Sequence, residues 1–231
     1  MDQNQNHSNP NLSLYHRFLR AFMAKFFSLL YHEFAWSYDF VANCVSWGQW
    51  QLWINQILPY LQGPMVLELG HGPGHLARWL DPTIQYFGVD ESASMGRLAR
   101  KNNESNASKK VWIRARAEFL PFIPATFDTI FATFPSEYIM NYPTLASCAR
   151  SLKAQGELII LLSIRFKPVS LSNRFLAFVF QIFGQSSSDS GLLDRIQAHF
   201  YSSGFSCGVN WEDFSTYQLL ILRAARVNRG F

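Results

Sequence analysis

The stretch Met65-Val66-Leu67-Glu68-Leu69-Gly70-His71-Gly72-Pro73-Gly74 constrains this chain more than any other. Its first half is a brief apolar run behind Gly63-Pro64, too short for an independent helix, and it reads as a buried strand. Its second half is rich in glycine. A strand that must turn sharply into the next element, with something lying close against the turn, needs positions without a Cβ. In open parallel sheets the carboxyl ends of the strands, near the switch in strand order, are where ligands bind.

Strands alternate with helices downstream. Tyr86–Val89 reads as the second strand, ended by Asp90, Val111–Ala115 as the third and Thr129–Thr133 as the fourth. Glu157–Ser163 is the fifth, after a turn at Gln155-Gly156. Helices are expected at Gly74–Leu80, from a Ser92 cap to about Lys101, and at Tyr142–Lys153. This alternation implies a parallel sheet covered on both faces, and strands this apolar should be buried on both sides. Two further helices, Ser170–Phe183 and Leu192–Ser202, precede the strands Phe205–Trp211 and Tyr217–Ala224, which are close enough to form a hairpin at one sheet edge. The expected class is α/β: a doubly wound, mostly parallel, seven-stranded sheet with added N-terminal helices.

Residues 1–11 are polar and read as a disordered tail, 12–62 as a helical cover and 63–231 as the sheet domain. Within the cover, Phe18, Leu19, Phe22, Met23, Phe26, Phe27 and Leu30 share one side of a helix from Leu14 to Tyr31, opposite Arg17, Arg20, Lys25 and Ser28. Such a helix packs on its own domain, roofs a pocket or lies on a membrane surface. More helix is expected at Glu33–Val45 and Gln49–Leu61.

Composition removes several classes. With 48% hydrophobic and 16% charged residues, the chain has material for a core and is no disordered polymer. A net charge of +4 is thin for a nucleic-acid surface. Cys44, Cys148 and Cys207 are scattered, so neither a metal site nor a disulfide framework is expected, and a reducing cytoplasm follows. The first residues lack the marks of a signal peptide, and no apolar run is long enough to span a bilayer. Peripheral contact with a membrane stays open.

The glycine turn decides between two ligand classes. A dinucleotide fingerprint, G-x-G-x-x-G, would need glycine where His75 stands. The glycines fall instead at Gly70, Gly72 and Gly74, with Glu68 before them. A carboxylate there disfavours a pyrophosphate and suits a cation. This pattern resembles the first motif of the class I S-adenosylmethionine-dependent methyltransferases, and of their small-molecule and quinone-type members in particular. The resemblance implies a Rossmann-like methyltransferase fold that binds S-adenosyl-L-methionine. It gives Glu68, Gly70, Gly72 and Gly74 to the methionine part, Asp90 to the ribose hydroxyls and Met95 to the adenine. The segment Ala117-Glu118-Phe119-Leu120-Pro121-Phe122 is similar to the family's D-A-E-x-L-P-F, with Arg116 in place of the Asp that accepts the adenine amino group. Arginine has donors only, so the adenine contact would pass to Ala117 and its neighbour Glu118. Thr133 and Phe134, ending the fourth strand, and Tyr38, in Ala35-Trp36-Ser37-Tyr38-Asp39, complete the set implied for the cofactor.

Tyr38, Phe134 and Tyr138 are candidates to face a cation with their rings. His71 is expected to be exposed, Glu118 to be structural rather than catalytic, and no residue stands out as a general base. Thr133-Phe134-Pro135-Ser136 differs from the N-P-P-Y-like segment of enzymes that methylate base amino groups or glutamine. The expected activity is methyl transfer to a small apolar, lipid-like acceptor. The alternatives are a catalytically silent scaffold of the same fold and an RNA methyltransferase.

Overall fold

The structure is a computed structural model that describes residues 49–104, 110–167 and 190–227. The helices expected at Leu14–Tyr31, Glu33–Val45 and Ser170–Phe183, and Tyr38 with them, lie outside the described residues.

The first described helix, α1 (Trp50–Asn55), is followed by a 3-10 turn at Leu58–Tyr60. The single helix expected to Leu61 is divided because Pro59 lacks an N–H and its ring obstructs the preceding turn. Then come β1 (Met65–Leu69), a 3-10 turn (Leu76–Trp79), β2 (Gln85–Asp90), α2 (Ala93–Asn102) and β3 (Lys110–Arg114). After these run β4 (Phe127–Thr133), α3 (Tyr142–Ser151), β5 (Leu152–Phe166), α4 (Ser190–Ser202), β6 (Phe205–Asp213) and β7 (Tyr217–Arg226). The helix expected at Gly74–Leu80 is thus only a short 3-10 turn. The α2 cap is as expected, with Ser92 Oγ accepting the Met95 N–H at 3.4 Å.

All seven strands form one sheet in the order β3-β2-β1-β4-β5-β7-β6. The first five neighbours pair in parallel, whereas β7 pairs antiparallel with both β5 and β6. The expected hairpin exists, but β7 lies inside the sheet and β6 forms the edge. The order reverses beside β1, which opens a crevice at the carboxyl ends of β1 and β4.

Central strands are buried on both faces, with alternate residues feeding two cores. Leu67, Leu69, Ile130, Ala132, Leu158 and Ile160 pack with Leu145 and Cys148 of α3 and Phe200 of α4. Val66, Tyr86, Phe131, Ile159 and Leu161 pack with Trp53, Ile54 and Ile57. Trp53 and Ile57 have no exposed surface. The stretch from Trp50 to Ile57 therefore belongs to the core of the sheet domain, and the boundary expected at 62/63 does not separate two cores. The edge strand β3 departs from burial on both sides and exposes Val111.

A second difference lies at Gln155-Gly156. The expected turn is a bulge inside a longer strand: Phe127 pairs with Leu152, but Thr129 pairs with Glu157. Gly156 lies so tightly on β4 that a Cβ would stand 2.9 Å from the carbonyl oxygens of Phe127 and Asp128. Among the described residues no helix is long and apolar enough to cross a membrane.

Candidate functional site

A cleft of about 640 Å³ opens at the carboxyl ends of β1, β2 and β4. Its walls come from the glycine turn after β1, the end of β2, the segment after β3 and the loop after β4.

The glycine turn is laced to β2, since the N–H groups of Gly70 and His71 both donate to the Val89 carbonyl, at 2.7 and 3.3 Å. The three glycines share positive φ but face different surroundings. A Cβ on Gly70 would stand 2.9 Å from the Tyr138 hydroxyl, and one on Gly74 would stand 2.6 Å from the Trp112 ring. At Gly72, with φ +51°, a Cβ would meet nothing within 4 Å. Its bare backbone is the open face of the turn.

Asp90 holds that face in place. Its Oδ2 accepts the Gly72 N–H at 3.0 Å and its Oδ1 accepts the Ser92 N–H at 2.8 Å. One carboxylate thereby joins the turn to the start of α2. A carboxylate oxygen accepts two hydrogen bonds, so each retains acceptor capacity toward the cleft.

Glu68 lines the same cleft with 3% of its surface exposed. The Tyr86 hydroxyl donates to its Oε2. Burial pushes the Glu68 carboxyl up to about 8, the Tyr86 hydrogen bond opposes the rise, and the Asp90 charge adds to it. Burial also raises the Tyr86 hydroxyl well above its usual range. A carboxyl so placed is largely protonated at neutral pH until a cation comes near.

His71 is a correction to the expectation of exposure, because it is 4% exposed. Its ring packs edge-on to Trp112 at 4.8 Å, over the bare backbone of Gly88. Burial lowers the His71 pKa against the pull of Asp90. Nδ1 pairs with the Gly72 carbonyl at 2.7 Å, while the buried Nε2 has no partner. The turn thus carries a buried neutral imidazole beneath it.

The cleft brings together Glu68, Gly70, Gly72, Asp90, Ala117, Glu118, Thr133 and Phe134. It does not bring in Gly74, whose missing side chain makes room for Trp112 and Ala99. Nor does it reach Met95, which is fully buried on the inward side of α2. Arg116 is 60% exposed and pairs with Glu118 at 2.9 Å. For Glu118, burial works against ionisation, but its own N–H, Arg116 and Asn141 together hold the carboxyl below its usual value. Phe134 has φ +45°, an uncommon conformation that costs about 1 kcal/mol or more outside glycine. Its N–H still donates to the Leu161 carbonyl at 2.8 Å, and its ring lies 4.9 Å from Trp50.

Trp50, Ile54, His75, Glu137 and Asn141 also line the cleft and were not among the site residues expected from the sequence. They carry no motif. Only the packing of α1 and of the loop after β4 brings them there. Tyr138, read as an aromatic candidate, does line the cleft and donates to the Leu69 carbonyl at 3.2 Å.

The family model described as a methyltransferase domain matches residues 66–156, the stretch that holds the glycine turn, Asp90 and Ala117. Those residues form a methyltransferase domain. Among curated proteins, this chain is 29% identical over 163 residues to a ubiquinone/menaquinone biosynthesis C-methyltransferase of Edwardsiella ictaluri, covering 66% of the chain and 65% of the relative. It is 29% identical over 161 residues to a demethylmenaquinone methyltransferase of Symbiobacterium thermophilum, covering 65% and 63%. The match spans between 57% and 65% of the length of the first such relatives. Among solved structures, a Haemonchus contortus phosphoethanolamine N-methyltransferase 2 aligns with TM-score 0.57 at 17% identity, over 82% of this chain and 57% of that one. Magnesium protoporphyrin IX methyltransferase of Synechocystis PCC 6803 aligns with TM-score 0.51 at 19% identity, over 76% and 82%. At these identities the alignments establish the shared fold.

Proposed function

We propose that this chain binds S-adenosyl-L-methionine in the cleft and transfers its methyl group to a small apolar acceptor. One observation carries the reading: Glu68, the open face of Gly72 and the clamped Asp90 meet in a single cleft. Its volume of about 640 Å³ is within the range of small-molecule sites.

The residues present suit the cofactor. Asp90, fixed by two backbone N–H groups, keeps acceptor capacity that vicinal ribose hydroxyls satisfy. Gly72 lets a ligand approach the backbone without meeting a side chain. Glu68 supplies negative charge for a cationic group. Among the described residues, Arg116 is the only Lys or Arg lining the cleft, and it is tied to Glu118, a poor setting for a pyrophosphate. When bound, the sulfonium supplies an electrophilic methyl carbon. The chain's contribution is to orient the reactants and keep water out. Trp50, Phe134 and Tyr138 present aromatic surface suited to a cation and to an apolar acceptor. Ile54, Leu76 and Val89 extend the apolar lining. The curated relatives, methyltransferases of ubiquinone and menaquinone biosynthesis and of demethylmenaquinone, agree with an acceptor of this class.

Calorimetry with S-adenosylmethionine, S-adenosylhomocysteine and a nicotinamide dinucleotide tests the cofactor. The first two should bind and the third should not. Methyl transfer to a panel of hydrophobic phenols and quinols, beside RNA, tests the acceptor. Methylation of RNA alone would overturn the acceptor class. Tight cofactor binding with no turnover on any acceptor would point to a silent scaffold.

A further inference from the structure

The cleft contains a pairing that the cofactor reading leaves unused. Tyr86 stands on β2 opposite Val66, two pairs before Glu68 opposite Gly88 and so on the same face of the sheet. Its hydroxyl reaches across the place where a Gly88 side chain would be, 2.8 Å from that Cβ position, and ends on Glu68. A residue with a Cβ at 88 would block this reach. Tyr86 is itself almost fully buried, so its hydroxyl is shielded from bulk solvent.

The charged and titratable groups around this pair are few. From β2, Asp90 faces Glu68 and disfavours a second negative charge. From the glycine turn comes His71, which burial keeps neutral and on which Arg100 of α2 acts in the same direction. Arg116, after β3, is engaged with Glu118, which also lines the cleft. His75, Glu91 and Glu137 lie on the cleft's other walls. The side chains packed from α1, β4 and the 3-10 turn, namely Trp53, Ile54, Phe131 and Leu76, are apolar. Two carboxyl groups, Glu68 and Asp90, therefore share the floor of a cleft in which no dedicated cation stands among the described residues.

We propose that Tyr86 is a positioning residue for Glu68, and that capture of a cationic ligand in the cleft expels the proton that Glu68 holds in its absence. The inference rests on the cofactor reading above. The proton leaves Glu68 for solvent, and no other bond is made or broken. The carboxylate keeps the Tyr86 O–H as donor on Oε2 and turns its other oxygen to the ligand's positive group. Burial that costs a lone carboxylate so much becomes favourable once the ligand supplies the opposite charge. Without the Tyr86 hydroxyl, the newly ionised Glu68 would lose the hydrogen bond that makes its ionisation accessible.

The test is calorimetry of the full-length protein with S-adenosylmethionine and S-adenosylhomocysteine from pH 6 to 9, in buffers of differing ionisation enthalpy. Wild-type protein should release a proton on binding near neutral pH. Affinity should rise roughly tenfold per pH unit and level off near pH 8, as one-proton linkage requires. Tyr86→Phe keeps the ring but should weaken binding by about tenfold at neutral pH and move the levelling point upward. Glu68→Gln, which adds no volume, should abolish the release and flatten the profile even if Tyr86→Phe fails to fold. Binding of wild-type protein without proton release overturns this inference alone. So does release that survives Glu68→Gln and vanishes in His71→Gln. Absence of binding at every pH overturns the cofactor reading and this inference with it.

Discussion

Two aspartates join glycine turns to neighbouring strands at opposite ends of the same sheet, and they differ in what they leave open. At the amino end, Asp128 accepts the Met65 N–H at 3.0 Å and the Lys153 ammonium at 2.7 Å. Gly63 lies beneath it so closely that a Cβ would stand 2.4 Å from the Asp128 side chain. At the carboxyl end, among the described residues Asp90 accepts only backbone N–H groups, and the turn it holds, at Gly72, has nothing within 4 Å of a Cβ position. The two devices share their chemistry. One is closed by a cation and by packing, which makes it a structural clip. The other is held by neutral donors beside a void, which leaves its charge to act on a ligand. On the proposed reading, function at the carboxyl end comes from what surrounds the aspartate rather than from the aspartate itself.

If this comparison holds, damage to the closed clip should appear as lost stability and damage to the open one as lost affinity. The largest effect is expected from Gly63→Ala, which combines a φ of +72° with the Asp128 clash. It should destabilise the fold by about 3 kcal/mol, from backbone strain plus overpacking, as read from a denaturant midpoint. Cofactor affinity of the protein that still folds should be unchanged. Asp90→Ala comes next, with about 1.5–3 kcal/mol of cofactor binding lost as a charged hydrogen-bonding group disappears. Unchanged affinity in a folded Asp90→Ala variant would remove the ribose role and with it the distinction between the two ends. Lys153→Met should be milder, because Lys153 is 40% exposed. A loss within about 0.5 kcal/mol of stability is expected, with no change in affinity. The smallest effect is predicted for Arg116→Asp, whose cofactor affinity should be equal to or better than that of the wild type. A large loss with the fold intact would mean that the open end does depend on a cation.

How far such features could be read in the sequence depended on how local they are. Glu68, Gly70, Gly72 and Asp90 sit at strand ends whose spacing is written into consecutive residues, so both the fold class and half the cleft were legible. Trp50 and Asn141 reach the cleft only because α1 and the loop after β4 pack beside it, and no motif announces that. His71 was misread because the space it fills belongs to Gly88 and Trp112, on two other strands. The bulge in β5 hid behind Gln155-Gly156, which looks like a turn until β4 is placed against it. Met95 and Gly74 lie within the motif region yet face inward, since α2 presents its apolar side to the sheet. Motif spacing constrains where the backbone goes more strongly than which way each side chain points.

The placing of β7 also bears on how the protein is made. The strand that lies between β5 and β6 in space is synthesised after both of them. Until Tyr217–Arg226 has left the ribosome, β5 presents an unpaired edge that includes Ile159, Ile160 and Leu161, all without exposed surface in the finished fold. An apolar open edge of this kind invites pairing with the wrong partner. Nascent chains on a crowded polysome are therefore most vulnerable during the interval between the emergence of β5 and that of β7. A premature stop between Phe166 and Tyr217 would leave the parallel strands and the described cleft residues encoded, yet would yield a polypeptide prone to aggregate rather than a smaller working protein.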